Sequence, residues 1–437
     1  MPYMSNGRYW ALLVSSVLVL ECARAAEVCG DWHAVASPNP SVVNRVLHIA
    51  GHNSNDLWLL GSAGPTYPGT TMIWRWNGAA WETIPLPDTS AIGTLPLFNA
   101  ITQLPNGDVL VGGSAHAPYP IDNQPFIARW SGAGWAEVTK ITLRPQTVYP
   151  YGPRGGFVND LFATASDDIW ALGYAASMGS GGGVPMAAHF DGSAWTEFET
   201  PIVSNRTNEI IAVNGSSASD IWAVGVQRDI AGAYLPYTMH WSGEGWTYHA
   251  APVGLMGSFD AIAVLSPTDA WALGASMLVH WDGASWQSMP LPANASSAAI
   301  EALATDDIWV AHVTSGYFHW NGSVWSFVPS PFTPPAGQFT QIRDFAAVGP
   351  CDIWATGSVL ALDGSAPSTT IVERLAAANA PGDLDGDGDV DLSDLAAMLS
   401  GYGLCSGDPG FNPTADLDAS GCVDLGDLAA LLANYGH

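Results

Sequence analysis

One phrase recurs along this chain and constrains its fold more than any other feature. It reads Asp56-Leu-Trp-Leu-Leu-Gly61, Asp168-Ile-Trp-Ala-Leu-Gly173, Asp220-Ile-Trp-Ala-Val-Gly225, Asp269-Ala-Trp-Ala-Leu-Gly274, Asp307-Ile-Trp-Val-Ala-His312 and Asp352-Ile-Trp-Ala-Thr-Gly357, with a weaker copy at Asp108-Val-Leu-Val-Gly-Gly113. A second phrase follows each of the first six, as in His240-Trp-Ser-Gly-Glu-Gly-Trp246, His280-Trp-Asp-Gly-Ala-Ser-Trp286 and His319-Trp-Asn-Gly-Ser-Val-Trp325. Successive copies start 38 to 60 residues apart and are short and β-rich, which is the signature of four-stranded blades arranged in a ring.

The unit can be read strand by strand. An inner strand such as Asp260-Ala-Ile-Ala-Val264 is small and apolar, because strands around a central axis are crowded. The Asp-x-Trp strand comes second and turns its Trp toward the neighbouring blade. The third ends in His-Trp and is followed by Asp-Gly, Asn-Gly or Ser-Gly, pairs that suit the positive φ of a type I′ hairpin. The fourth opens on the second Trp and ends at Pro, as from Trp286 to Pro290. Eighteen of the twenty tryptophans fall in this register, so blade packing is their expected role. The recurring His189, His240, His280 and His319 are read as structural for the same reason.

Seven first phrases stand against six complete second ones, and the missing outer strand is found at the N-terminus as Gly30-Asp-Trp32-His-Ala-Val-Ala-Ser-Pro38. The seventh blade is therefore expected to combine Thr370-Ile-Val-Glu-Arg-Leu375 as third strand with Trp32 opening the fourth, so that both ends of the chain close the ring and leave no exposed edge. Cys29 precedes that outer strand and Cys351 precedes the seventh Asp-x-Trp strand. A Cys29–Cys351 disulfide follows from placing both in one blade. An apolar strand ending in Gly, an aromatic-Asp hairpin, then Trp and a terminal Pro resemble kelch repeats over residues 27–376, which implies a seven-bladed β-propeller.

After a short linker at 377–381 the composition changes. Asp383-Leu-Asp385-Gly-Asp387-Gly388-Asp389-Val-Asp391-Leu-Ser-Asp394 has oxygen ligands at loop positions 1, 3, 5, 9 and 12, Gly at 6 and an apolar residue at 8. A second copy reads Asp416-Leu-Asp418-Ala-Ser420-Gly421-Cys422-Val-Asp424-Leu-Gly-Asp427. Calcium needs six to eight hard oxygens, and each loop supplies them when the final carboxylate is bidentate and the carbonyl of Asp389 or Cys422 contributes. Two ions are expected. Each loop leads into a helix, Leu395 to Tyr402 and Leu428 to Tyr435, with none of comparable length before it. Two such loop-helix units, Asp at position 12 and the opening Gly382-Asp-Leu-Asp-Gly-Asp-Gly388 resemble a dockerin domain over residues 382–437. The resemblance implies a cohesin-like or other protein partner for the tail. In that family the two residues before position 12 help to read the partner, and here they are Leu392-Ser393 and Leu425-Gly426. Cys405, between the loops, is placed to pair with Cys422.

The expected fold class is thus all-β, a seven-bladed propeller closed by N- and C-terminal strands, followed by a small α-helical EF-hand-like domain. Residues 1–26 read as a signal peptide, with Arg8, an apolar run from Trp10 to Leu20 and cleavage near Ala25. That apolar run is too short to span a bilayer, and an exported, soluble protein with no membrane span is expected. Four cysteines then remain, an even number that fits two disulfides outside the cell. Forty acidic residues against twelve basic ones, with Lys140 the only lysine, leave too little positive charge to neutralise phosphates, so nucleic acid is excluded as a partner.

Site candidates on the propeller come from its geometry. The loops joining strands two to three, and four to the next blade, share a face, and the long ones carry Tyr119, Asp122, Tyr149, Tyr151, Arg154, Arg228 and Tyr234. At the same end Asn44, Asn99, Asn159, Asn208 and Asp260, with Asp344, form an expected polar ring at the channel mouth. It would hold a sugar or ion, or cap strand ends and hold water. Two functions follow: a non-catalytic binding or scaffold protein whose propeller face takes a glycan or protein, or a carbohydrate-active hydrolase or lyase in polysaccharide breakdown. A glycosidase would need two carboxylates about 5 to 9 Å apart. Asp122, Asp160 and Asp229 are the carboxylates in these loops, and no glutamate accompanies them.

Overall fold

The computed structural model describes residues 29–65, 69–117, 123–143, 154–177, 183–203, 207–314, 316–349, 351–361, 368–377, 381–384 and 390–435. Residues 1–28, with the expected signal peptide, and linker residues 378–380 lie outside them. Seven antiparallel sheets of four strands each run from inner to outer strand in chain order. Blades 1 to 6 span residues 43–84, 94–140, 154–198, 208–248, 259–289 and 295–329, and blade 7 takes three strands from residues 338–377. Its fourth is Cys29–Val35, paired with Thr369–Ala377 so that Trp32 lies opposite Leu375. The split blade read from the sequence is present. Cys29 and Cys351 are bonded there, with Cα atoms 5.1 Å apart.

Each conserved letter of the repeat has a physical cause. The Asp at the start of each second strand clasps the third-strand side chain that lies opposite the Trp position. In blades 3 to 6 this is a histidine: His189 to Asp168 at 2.6 Å, His240 to Asp220 at 2.7 Å, His280 to Asp269 and His319 to Asp307 at 2.9 Å. In blades 1, 2 and 7 it is an arginine: Arg75 on Asp56, Arg129 on Asp108 and Arg374 on Asp352. In every blade but the second, where Leu110 replaces the Trp, the imidazole or guanidinium also lies on that Trp, as His280 does on Trp271 at 4.3 Å between ring centroids and Arg374 on Trp354 at 5.2 Å. The expected structural role of the four histidines is what the geometry shows.

The terminal Gly of the phrase answers to a bulge. Pairing shifts by one residue midway along the inner strand, at Val46/His48, Phe98/Ala100, Val158/Asp160, Ile210/Ala212, Phe259/Ala261 and Ile342/Asp344. This presses the inner strand's backbone against the second strand. A Cβ on Gly225 would stand 2.0 Å from the Glu209 carbonyl oxygen. Blade 6 has His312 at this position, and its inner strand is the one that departs most from the common register, between Ala295 and Ile300.

The hairpins differ from the expected type I′ turn. Strand three ends at Trp76 and strand four begins at Trp81, a four-residue loop. Only the glycine has positive φ, as at Gly78 (91°) and Gly283 (90°). The Asp or Asn before it accepts main-chain N–H bonds from two and three residues on, as Asn77 does from Ala79 and Ala80 and Asp282 from Ala284 and Ser285. This side-chain turn replaces the second left-handed residue that a two-residue loop requires.

Blade seams are filled by indoles. Trp58, Trp170, Trp222, Trp271 and Trp354 are nearly inaccessible and Trp309 is buried. Trp58, Trp170, Trp222, Trp309 and Trp354 meet aromatic rings of the next blade, as Trp170 meets Trp241 at 4.8 Å and Trp246 at 5.3 Å, and Trp271 packs with Ile300 and Ile308 of blade 6. Such pairs contribute roughly 0.5–1.5 kcal/mol each beyond the area they bury.

In the tail, α1 (Leu392–Gly401) and α2 (Leu425–Ala433) are capped by Asp391 and Asp424 in matching capping boxes. Val390, Met398, Ala415, Val423 and Leu431 form its fully buried core, with the two valines at position 8 of each loop. Among the described residues no helix is long and apolar enough to cross a membrane.

Candidate functional site

Two regions gather chemistry: the propeller axis and the tail loops. At the axis the bulge sets which side chains cross to the next blade. The Asn99 amide donates to the Val158 carbonyl at 3.2 Å, and Asn159, one blade on, donates to Ile210 at 2.7 Å. Asp160 accepts the Val213 N–H at 2.8 Å, and Asp344 accepts that of Ile49 at 3.1 Å. His48 adds a contact to Asp344 at 3.3 Å.

The six residues expected as one polar ring lie at three levels. Asn99, Asn159 and Asp260 occupy the bulge, Asp344 follows it by one, and Asn44 and Asn208 precede it by three, because the bulge falls at different distances from each strand's start. Asn44 is buried and donates to the carbonyls of Ser41 at 2.6 Å and Ser368 at 3.2 Å, across the closing seam. Asn208 is buried at the start of its strand, and Asp260 takes the Ser258 hydroxyl.

The electrostatics of the axis come from crowding acids in a narrow space. Burial pushes the Glu301 carboxyl up to about 8, with the Asp344 charge adding to it, against main-chain N–H bonds from Ala302 and Ala347. Asp160 is pushed up to about 6, again by burial, opposed by its N–H bonds and by His48. For His48 burial acts downward, yet the hydrogen bond and charge of Asp344 outweigh it and raise the imidazole above its ordinary value. Glu301 and His48 were not among the sequence candidates. The available signal was a lone charged residue in a run such as Ala-Ala-Ile-Glu301-Ala-Leu-Ala.

On the loop face, Arg228 donates to the Gly232 carbonyl at 3.2 Å and lies over the Tyr234 ring at 5.4 Å, with Tyr234 exposed. Ile230, Val253 and Met256 are exposed on neighbouring loops, and Gly257 N–H donates to the Tyr234 carbonyl at 2.9 Å to hold the two loops together. Tyr119, Asp122, Tyr149 and Tyr151 lie outside the described residues, as does the side chain of Arg154, whose backbone pairs with Ser177.

The two tail loops share their bonding at position 12. Asp394 and Asp427, at position 12, are fully buried. Asp394 accepts the N–H of Leu384 at 2.6 Å and of Asp391 at 2.8 Å, and Asp427 accepts those of Leu417 and Asp424 at 2.7 Å. In the second loop Asp416, Asp418 and Asp427 converge, with one carboxylate oxygen of each within 4.8 Å of the others. Gly421 and Ser420 N–H groups fold over Asp416 at 2.8 and 2.9 Å, and the Cys422 carbonyl takes the Ser420 hydroxyl at 3.1 Å. Three hard carboxylate oxygens this close together are a donor set that suits a divalent cation such as calcium. Asp383 is buried, Asp391 and Asp424 serve as helix caps, and Asp385, Asp387 and Asp389 lie outside the described residues. Cys405 and Cys422, the latter at position 7 of the second loop, form the second disulfide.

No family model and no curated protein matches the chain. Among solved structures, YCF48 bound to D1 peptide is similar over 79% of this chain and 97% of that one, at 14% identity and a TM-score of 0.48. YCF48 from Cyanidioschyzon merolae covers 79% and 99% at 16% identity and a TM-score of 0.49. A GH74 xyloglucanase from Xanthomonas campestris covers 72% of this chain and 50% of that one, at 13% identity and a TM-score of 0.42. Likeness at this level carries no activity across; the seven-bladed propeller rests on the sheets themselves.

Proposed function

We propose that this is an exported binding protein in two parts, a propeller that presents its loop face to a protein or glycan and a dockerin-like tail that holds two calcium ions and docks onto a partner protein. The observation that carries the reading is the exactness of the tail's duplication outside its core. Leu392 and Leu425 are 67% and 69% exposed, Leu399 and Leu432 54% and 52%, and Tyr402 and Tyr435 45% and 44%. A fold that buries its equivalent residues in pairs and exposes three large apolar pairs offers the same contact face twice. The loops' carboxylates would supply the ion's ligands, and calcium binding would then contribute to tail folding. Two disulfides support an oxidising, extracellular setting.

Calorimetric titration of calcium into the full chain tests this: two sites are expected, and one after Asp427→Ala. No calcium-dependent heat or thermal shift would refute the tail's role. Pull-down with and without the double variant Leu392→Ser/Leu425→Ser reads the docking face separately.

One observation favours the enzymatic reading. Burial and the neighbouring Asp344 charge push the Glu301 carboxyl up to about 8, and a carboxylic acid kept protonated beside a second carboxyl is what acid/base hydrolysis uses. Glycan-array binding measured beside reducing-sugar release on the same polysaccharides separates the two readings. Turnover that disappears in Glu301→Gln would replace the binding role with hydrolysis.

A further inference from the structure

The seam between blades 2 and 3 departs from the packing of the other six. Elsewhere a second-strand indole enters the next blade; here that residue is Leu110, and Phe190 stands where blades 1, 2, 4, 5 and 6 end their third strand in Trp. A cavity of about 260 Å³ lies between them. Leu110, Ile127 and Ile169 make a buried floor, and Phe190 and Trp195, with ring centroids 5.5 Å apart, stand half-buried at its side. Lys140 and Thr142 are exposed at the mouth.

A second observation concerns Arg129. It pairs across strands with Leu110 as Arg75 pairs with Trp58 and Arg374 with Trp354. In those blades the guanidinium lies over the indole at 5.4 and 5.2 Å. Arg129 is held by Asp108 at 2.7 Å and donates to the Ser166 carbonyl at 3.2 Å, but it borders the cavity, and among the described residues its cross-strand partner is Leu110 rather than an indole. A cation aimed at an empty ring site, above an apolar floor, is a recognition geometry for an aromatic ring. Apolar cavities of roughly 150 Å³ already take up benzene, so the volume suffices for a fused ring.

We propose that this seam binds a free small molecule bearing a flat, indole-sized aromatic ring, seated under Arg129 and against Phe190 and Trp195. The site is independent of what the loop face or the tail binds.

Titration of indole into the full chain, followed by calorimetry, should give saturable one-site binding. Leu110→Trp restores the residue used at the other seams, so it should weaken indole binding by roughly tenfold or more and raise the melting temperature without ligand. Equal affinity in that variant, or no saturation up to the solubility limit of indole, would overturn the proposal. Should Leu110→Trp not fold, nuclear Overhauser contacts from bound indole to the methyls of Leu110, Ile127 and Ile169 in the unaltered chain decide the matter, and their absence has the same force. A doubly blocked tryptophan tripeptide that binds more tightly than indole would overturn the free-molecule reading in favour of a partner's side chain.

Discussion

The carbonyl oxygen of Glu209 occupies the space that a side chain on Gly225 would need, 2.0 Å from the position of its Cβ. The same approach recurs at Gly61, Gly113, Gly173, Gly274 and Gly357, so the repeat's final letter is dictated by the inner-strand bulge rather than by turn chemistry. Gly225→Ala should cost about 1–3 kcal/mol through forced backbone displacement, read as a lowered urea midpoint. His312→Gly, where the bulge differs, should change stability by less than half of that.

The clasp predicts which exchanges are tolerated. His240→Arg should fold with near-native stability, since blades 1, 2 and 7 place Arg in that register. Asp220→Ala should lose about 1–3 kcal/mol, because Asp220 is buried and its removal strands the imidazole. Parallel thermal melts of the two variants check both, and a larger loss in the arginine variant would show that the position reads ring shape rather than charge.

Stability should fall with rising pH through the axis carboxyls. Glu301 ordinarily titrates near 4.5 and in the folded protein near 8, so the folded chain holds a proton that the unfolded chain releases between those values. The resulting stabilisation is complete below pH 4.5 and lost as pH rises to about 8; Asp160 acts in the same sense between 3.8 and about 6. Melting temperatures from pH 5 to 9 should decline less in Glu301→Gln than in the unaltered protein. A steeper decline in the variant would contradict the raised value.

Closure by Cys29 and Cys351 joins residues 322 apart. Replacing both with serine should lower stability by about 5 kcal/mol on the chain-entropy account. The loss should be confined to the propeller, so calcium titration of the tail serves as the internal control.

How much of this was legible in the residues varies with how local the cause is. The Asp-x-Trp strands, the split blade and its disulfide could be read because each blade repeats one short pattern and the count of its parts had to close. The type I′ hairpin was misread for a local reason: Asn77 or Asp282 bonds its own following N–H groups, which removes the need for a second left-handed residue. The single polar ring was misread for a non-local one. Where the bulge falls in each inner strand depends on the neighbouring strand, and it moves Asn44 and Asn208 three residues away from the level of Asn99.

By itself, then, the sequence determined the number of blades, the order of strands, the closing strand at Trp32 and the residues of the two acidic loops, all properties carried by spacing along the chain. Only the tertiary structure decided that Glu301, Asp160 and His48 share the electrostatics of one axis, and that Leu110 leaves room beside Arg129. Those depend on blades far apart in sequence meeting at fixed distances, where burial and packing act on every group from all sides at once.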